Sequence, residues 1–338
     1  MSLAASSKRP HVPVLLKEAM EALNPRAGGL YVDATFGAGG YARALLDRGA
    51  RVIALDRDPS AVRAGEALKA SSGGRLELTQ ARFGDLDEVA KRLGLDAVDG
   101  VALDIGVSSM QLDEAARGFS LRFDAPLDMR MEATGRSAAD ILRDEDEATI
   151  ADILFHFGDE RAARRIARAI VADREMKPFT STLELAGMIA RVAPARRGEL
   201  THPATRSFQA LRIAVNDELG ELVRGLTAAE LLLKSGGRLV VVTFHSLEDR
   251  IVKTFLIERS QAPAGSRHRP EVKFDAPTFQ VLTKRPETPE QAEIDANPRA
   301  RSAKLRAAQR TEAAPSSADV EELLPRLPSL VDVMRGRP

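Results

Sequence analysis

The residues with the most chemistry per position are Asp33-Ala34-Thr35-Phe36-Gly37-Ala38-Gly39-Gly40-Tyr41. Glycines at this density permit a tight turn and let a ligand approach the backbone. The stretch follows a short apolar run, Leu30–Ala34, and leads into a helical pattern over Tyr41–Arg48. In that order of strand, glycine turn and helix, the helix N-terminus receives a nucleoside cofactor. Asp56 ends the next apolar run, 19 residues after Gly37, where a carboxylate reaches ribose hydroxyls. Alone, Asp56 reads as a solvated strand-end acid; behind this loop it reads as a ribose ligand. The spacing Gly37-x-Gly39-x-x-Ala42 suits S-adenosylmethionine and NAD equally, so the residues leave that choice open.

Three more residues sit at strand ends. Asp104 closes Val98–Leu103, beside the same crevice, and is placed either for chemistry or to cap the loop near Ser108 and Ser109. Phe83 follows the weaker run Leu76–Gln80 and suits an adenine cover as well as a core position. His245 follows Arg238–Phe244 and reads as a substrate contact or a hydrogen-bonded structural histidine.

The elements that must position these groups alternate. Helical patterns over Pro59–Ala70 and Leu86–Leu93 separate the strands, which argues for βαβ units and a parallel sheet. From about Asp113 to Asp217 no strand is expected. Phe119–Met131 is irregular, Ile150, Ile153, Leu154 and Phe157 keep helical spacing, and Ser181 to Glu184 forms a capping box. Helices are expected over Ala204–Leu219 and Gly220–Leu233, then a Gly236-Gly237 turn and the strand Arg238–Phe244, a helix over Glu248–Arg259, and a late strand pair within Phe274–Lys284.

Composition narrows the classes. The 338 residues exceed one comfortable core, so two domains or one large insertion are expected. With 49 basic and 49 acidic residues the formal charge is zero, and nucleic-acid binding has to rest on local patches. Those are Arg161, Arg164, Arg165, Arg168 and Arg174, then Arg191, Arg196 and Arg197, and an acid-free run from Asn297 with Arg299, Arg301, Lys304, Arg306 and Arg310. Such runs are commonly solvated faces. There is no cysteine, which excludes disulfides and thiolate ligands, and the five histidines lack metal-binding spacings, so no metal is expected. Neither a secretory signal nor a membrane span is evident, and a soluble cytoplasmic protein is expected.

Asp33 to Gly40 is followed by Ala54-Leu-Asp-Arg-Asp-Pro59, Leu103-Asp-Ile-Gly-Val-Ser-Ser109, Arg117-Gly-Phe-Ser120, Pro126-Leu-Asp-Met-Arg-Met131, His202-Pro-Ala-Thr-Arg-Ser-Phe-Gln-Ala-Leu-Arg-Ile-Ala-Val-Asn216 and Phe244-His-Ser-Leu-Glu-Asp-Arg250. In this order the motifs resemble the bacterial 16S rRNA (cytosine-N4)-methyltransferase family, RsmH or MraW, from His11 to Arg306. The resemblance implies S-adenosylmethionine, with contacts at Gly39, Gly40, Tyr41, Asp56, Phe83, Asp104 and Gln111. Tyr41 stands where many members carry His, so the contact there is expected through the backbone. The resemblance also implies an α/β, Rossmann-like class I methyltransferase fold with an inserted all-helical domain. The expected boundaries are 1–112 and 218–310 for the methyltransferase parts, 113–217 for the RNA-recognising insertion and 311–338 for a tail.

The implied reaction methylates the exocyclic N4 of a cytosine in the decoding region of 16S rRNA. The implied partners are the small ribosomal subunit and a second copy in a homodimer. Asp104 is the first candidate proton acceptor, or equally holds only the methionine end of the cofactor, and His245 is a second-choice substrate contact. Other amino-methyltransferases often carry Asp/Asn-Pro-Pro-aromatic after the fourth strand, and this chain has Asp104-Ile-Gly-Val. The rival readings are a methyltransferase of another RNA site or a small molecule, an NAD oxidoreductase, and a non-enzymatic RNA-binding module.

Overall fold

A computed structural model describes residues 13–132, 134–195, 198, 201–261, 276–316 and 321–325. Its centre is a seven-stranded sheet ordered β3-β2-β1-β4-β5-β7-β6. The strands are β1 (Leu30–Asp33), β2 (Arg51–Asp56), β3 (Leu76–Gln80), β4 (Val98–Asp104), β5 (Leu233–Thr243), β6 (Phe279–Val281) and β7 (Lys304–Arg310). β1 to β5 run parallel, and β7 lies antiparallel between β5 and β6. The order reverses between β1 and β4, and a crevice opens at the carboxyl ends of strands at such a point. Asp33, Asp56 and Asp104 are the last residues of β1, β2 and β4.

Both faces of the sheet are covered, which is why its strands are apolar on both sides. One face packs under α1 (Leu16–Leu23) and α2 (Gly40–Asp47) in a core with Tyr31, Leu45, Val240 and Leu305. α3 (Pro59–Ser71) begins at Asp58, whose side chain accepts the Ser60 N–H while Pro59 fills the first helical position. The other face belongs to a larger core that includes α4 (Leu86–Arg92) and the long helices after residue 217.

After β4 come the five-residue α5 (Ser109–Asp113) and then α6 (Ala138–Asp144), α7 (Glu147–Gly158), α8 (Ala163–Met176), α9 (Thr182–Val192) and α10 (Thr205–Asn216). Among the described residues no strand interrupts this block. Ile150, Ile153, Leu154, Phe157, Ile166 and Ile170 are buried, and their core is continuous with that of the sheet. Ser181 caps α9 by accepting the Glu184 N–H, while the Glu184 carboxylate turns to the Thr180 N–H.

Phe119–Met131 forms no helix or strand, yet it is fixed. Asn216 accepts the Met131 N–H at 2.7 Å and donates to the Met129 carbonyl at 2.7 Å, and Met129 has a φ of 62°.

Three expectations need correction. The helix expected over Ala204–Leu219 stops at Asn216, because Asp217 turns left-handed at φ 49° and α11 (Glu218–Leu232) starts there. Gly220 leaves room for the folded-back Asp217 side chain, whose Oδ1 would lie 2.4 Å from an added Cβ. The Gly236-Gly237 turn is a bulge inside β5: Val98 pairs with Leu233 and Gly100 with Arg238. The late strand over Phe274–Lys284 is Phe279–Val281 among the described residues, and its partner is β7, within what reads as a basic run. Alternation explains the misreading. Leu305 and Ala307 face the α1 side, while Lys304 and Arg306 meet Asp249 of α12 (Ser246–Ser260). Arg310 donates to the carbonyls of Glu230 and Thr278. The acids that balance this run lie far away in sequence, and Arg306 and Arg310 are buried.

Candidate active site

The glycine turn is built by its own sterics. Gly39 has a φ of 76°, and a Cβ there would lie 2.7 Å from the Phe36 ring. A Cβ on Gly40 would lie 1.9 Å from Pro13 Cγ, so the chain before α1 closes over that residue. Gly37, at φ 52°, is the open position, where the nearest atom to an added Cβ is 3.9 Å away. Tyr41 sends its phenol into the α1 side, donating to the Val14 carbonyl at 2.6 Å. Its backbone in the first turn of α2 is what remains on the crevice side.

The carboxylates tie the strand-end loops together. Asp33 accepts the N–H groups of Thr35 and Ala42, and Asp56 accepts those of Gly37 at 2.7 Å and Asp58 at 2.8 Å. Burial pushes Asp33 up to about 7 and Asp56 up to about 6, against the pull of those backbone donors. Asp104 lies farther out of range. Burial first, then the charges of Asp33 and Glu248, hold its carboxyl well above the usual carboxylate range. Its backbone donates to Thr35 Oγ1 at 2.7 Å, while its buried Oδ1 has no protein partner. A buried acceptor left unpaired costs roughly 1–3 kcal/mol, a cost a ligand donor or cation would remove.

Phe83, in a 3₁₀ turn after β3, is partly exposed and rests against α11, where Gly225 leaves 2.5 Å between its ring and an added Cβ. Gln111 is buried and already committed: Nε2 donates to Asp58 at 3.0 Å, and Oε1 accepts the Ser108 N–H in a capping box. The structure therefore gathers the Gly37–Tyr41 loop, Asp56 and Asp104 at the ends of β1, β2 and β4, while Phe83 follows β3 with its ring against α11. Gln111 joins them through Asp58.

His245 sits at the end of β5 as the N-cap of α12. Its Nδ1 accepts the Glu248 N–H at 3.4 Å, and Nε2 lies 2.9 Å from Glu248 Oε1 without hydrogen-bond geometry. Glu248 Oε2 accepts the N–H groups of Phe244 and His245. Ligand atoms of Glu218, His245 and Glu248 lie within 4.8 Å of one another, the spacing of a metal cluster. Arg212, however, grips both Glu218 oxygens at 2.7 Å, so that carboxylate is already committed to an ion pair.

Sequence reasoning missed Asp58 and Arg117. Asp58 is buried and accepts from Ser60, Gln111 and Arg117. Arg117 also donates to the carbonyls of Arg130 and Met131, each at 2.9 Å, and so fastens the 126–131 segment to the loop after β2. The Asp58-Pro59 pair carries a local cap signal; the pairing with Arg117 crosses 59 residues and carries none.

For S-adenosylmethionine, the donor set fits: an open glycine position, a strand-end carboxylate beside it and a buried acceptor without a partner. Residues 8–311 match the model of the MraW methylase family. The chain is 63% identical over 326 residues to a ribosomal RNA small subunit methyltransferase H of Methylocella silvestris, covering 96% of this chain and 94% of that one. It is 58% identical to proteins of the same name from Bradyrhizobium diazoefficiens, covering 98% and 99% of the two chains, and from Rhodopseudomonas palustris, covering 96% and 97%. The NAD reading of the glycine loop falls with this match, and the chain belongs to the MraW methylase family.

Proposed function

We propose that this chain transfers a methyl group from S-adenosylmethionine to the exocyclic N4 of a cytosine in the decoding region of 16S rRNA. Asp104 carries the reading: a buried carboxylate with one oxygen unpartnered, at the carboxyl end of the central strand beside the glycine loop. S-adenosylmethionine supplies an electrophilic methyl carbon on a positively charged sulfur. Gly39, Gly40 and Tyr41 would receive it through backbone, Asp56 would take the ribose hydroxyls, Phe83 would cover the base, and Gln111 would hold the neighbouring loop through Asp58.

The N4 lone pair is delocalised into the cytosine ring, which makes it a poor nucleophile. An acceptor on the amino group localises that pair and takes a proton. Asp104 has the proton affinity for this role, because its surroundings resist its ionisation. A positive charge brought into the crevice lowers that resistance. His245 supports the substrate side by fixing the turn after β5, its nitrogens directed to Glu248.

The helices of 113–217 form the RNA-recognising part. The strand β7 contributes little to it, since Arg306 and Arg310 are buried and Lys304 pairs with Asp249. Among the described residues no helix is long and apolar enough to cross a membrane.

The test is incubation of labelled S-adenosylmethionine with small subunits that lack base methylation, followed by nucleoside mass spectrometry. N4-methylcytidine in the decoding region is the expected product. Cofactor binding with no incorporation into subunits would sink the ribosomal assignment and leave the fold and cofactor intact.

A further inference from the structure

We infer that the exposed face at the start of α8 binds the single-stranded RNA flanking the target cytosine, with Arg161, Arg164, Arg165 and Arg168 on phosphates and the Phe155 ring as a base-stacking platform. This rests on the reading of ribosomal RNA as substrate and names where that RNA lies.

The first observation is an electrostatic misfit. Arg161 lies in the turn before α8, and Arg164 and Arg165 lie in its first turn, where the helix dipole disfavours cations. No acid stands in that turn to offset them. Glu160, just before it, is buried and turned to the Ala162 N–H. All three arginines are exposed, and none has a hydrogen-bond or ion-pair partner among the described residues. Arg168 has only a 3.6 Å contact with an exposed Glu147. The opposite side of the helix, Ala163, Ile166, Ala167 and Ile170, is buried, so the guanidinium groups are held outward on a rigid element.

The second observation is aromatic. Phe155 is 53% exposed, one turn before the loop that leads into α8, and His156 meets its ring edge-on at 5.0 Å between centroids. An exposed ring in the last turns of α7 and unpaired cations around the start of the next helix are the combination that holds single strands, where bases stack and phosphates meet a positive track. An acidic protein surface would satisfy the arginines and leave the ring unused.

The third is location. Arg206, exposed at the start of α10, donates to the Asp159 carbonyl and so joins this face. Six residues on, or roughly 9 Å along the helix, Arg212 holds Glu218 beside His245 at the end of β5. α10 therefore runs from the arginine face toward the end of β5, the direction from which a flipped base would enter the crevice.

The test is a triple variant, Arg161→Gln with Arg164→Gln and Arg165→Gln, set against Arg92→Gln, an exposed arginine at the end of α4. Expected for the triple variant are a KM for naked 16S rRNA fragment raised at least about tenfold, kcat within about twofold, and unchanged S-adenosylhomocysteine affinity. The slope of log affinity against log salt should shrink by about 2, at about 0.7 per phosphate contact on a single strand. The same positions changed to lysine should keep the salt slope. Phe155→Leu should weaken fragment binding about fivefold or more without altering the slope. Removing misplaced cations should not lower Tm, so folding failure is not expected. An RNA KM and salt slope equal to those of Arg92→Gln would overturn the inference. So would a defect confined to assembled subunits, which would assign the face to a ribosomal protein. Fragment affinity and its salt slope are read at equilibrium without turnover, so absence of N4-methylcytidine from the wild-type enzyme would count against the proposed reaction alone.

Discussion

The strand-end crevice and the helical block are made of similar residues arranged to opposite ends. In the crevice, acids are buried in excess: Asp33 and Asp56 are pushed up to about 7 and about 6, and Asp104 beyond the usual range. In the block, the acids sit where the fold favours them. Asp140 is held below its ordinary value by the Ser137 hydroxyl and backbone, and Asp146 by the Thr149 backbone at the start of α7. The block's unbalanced groups are cations, and they are exposed. One region holds charge that a small cationic ligand and a proton would satisfy; the other holds charge that a polyanion would satisfy.

The hardest test of that contrast is Asp104→Asn. The amide keeps the shape and removes the group that can exchange a proton. If Asp104 takes or orients the N4 proton, single-turnover methyl transfer should fall by about 10²–10³, the range of a lost general base. Tm should hold or rise, because a buried carboxylate with an unpartnered oxygen is gone. A loss confined to the KM for S-adenosylmethionine would reassign Asp104 to cofactor binding.

How much of this was legible follows from where each constraint lies. The loop Asp33 to Gly40 could be read because its glycines answer to local sterics, such as the φ of 76° at Gly39. Asp56 could be read because a strand end and a following helix fix its place. β7 could not, because its alternating cations look like a solvated run until Asp249 and Glu230 are brought beside them by the fold. The break at Asp217 was hidden because apolar helical spacing continues on both sides of it. The Asp58–Arg117 link was hidden because distant pairing leaves no period in a sequence.

A middle-sized effect separates the regions by pH. Asp56 has to be ionised to accept ribose hydroxyls, and burial raises it to about 6 in the free protein. Affinity for S-adenosylhomocysteine should therefore weaken about tenfold between pH 7 and pH 5, the loss beginning as pH falls through about 6. The sign for stability is opposite. A raised folded pKa means Asp56 favours the fold below its unfolded value of about 4, and that contribution is lost as pH rises through about 6. Calorimetric titration across pH 5–8 checks the first, and Asp56→Asn should flatten the curve at uniformly weaker affinity. A profile that stays flat in the wild type would mean Asp56 does not titrate against the ligand. Fragment binding at the arginine face should not follow this profile, since arginine stays charged throughout.

The smallest effect makes the sharpest comparison, because the two regions carry the same local device. Ser137 and Asp140 form a capping box on α6, and Ser108 and Gln111 form one on α5. Replacing either serine by alanine removes one cap hydrogen bond, about 1 kcal/mol of local stability. For Ser137→Ala the consequence should end there: Tm lower by about 2 °C, with S-adenosylhomocysteine affinity and kcat unchanged. Ser108→Ala should cost no more in Tm, since α5 is only five residues long. It also releases the loop that holds Gln111 against Asp58, the residue whose N–H holds Asp56 Oδ1 at 2.8 Å. Cofactor affinity should therefore fall about threefold to tenfold in Ser108→Ala alone. Equal affinities in the two variants would mean that the Ser108–Gln111–Asp58 chain is scaffolding, and that Asp56 is held in place by the Gly37 and Asp58 backbone without it.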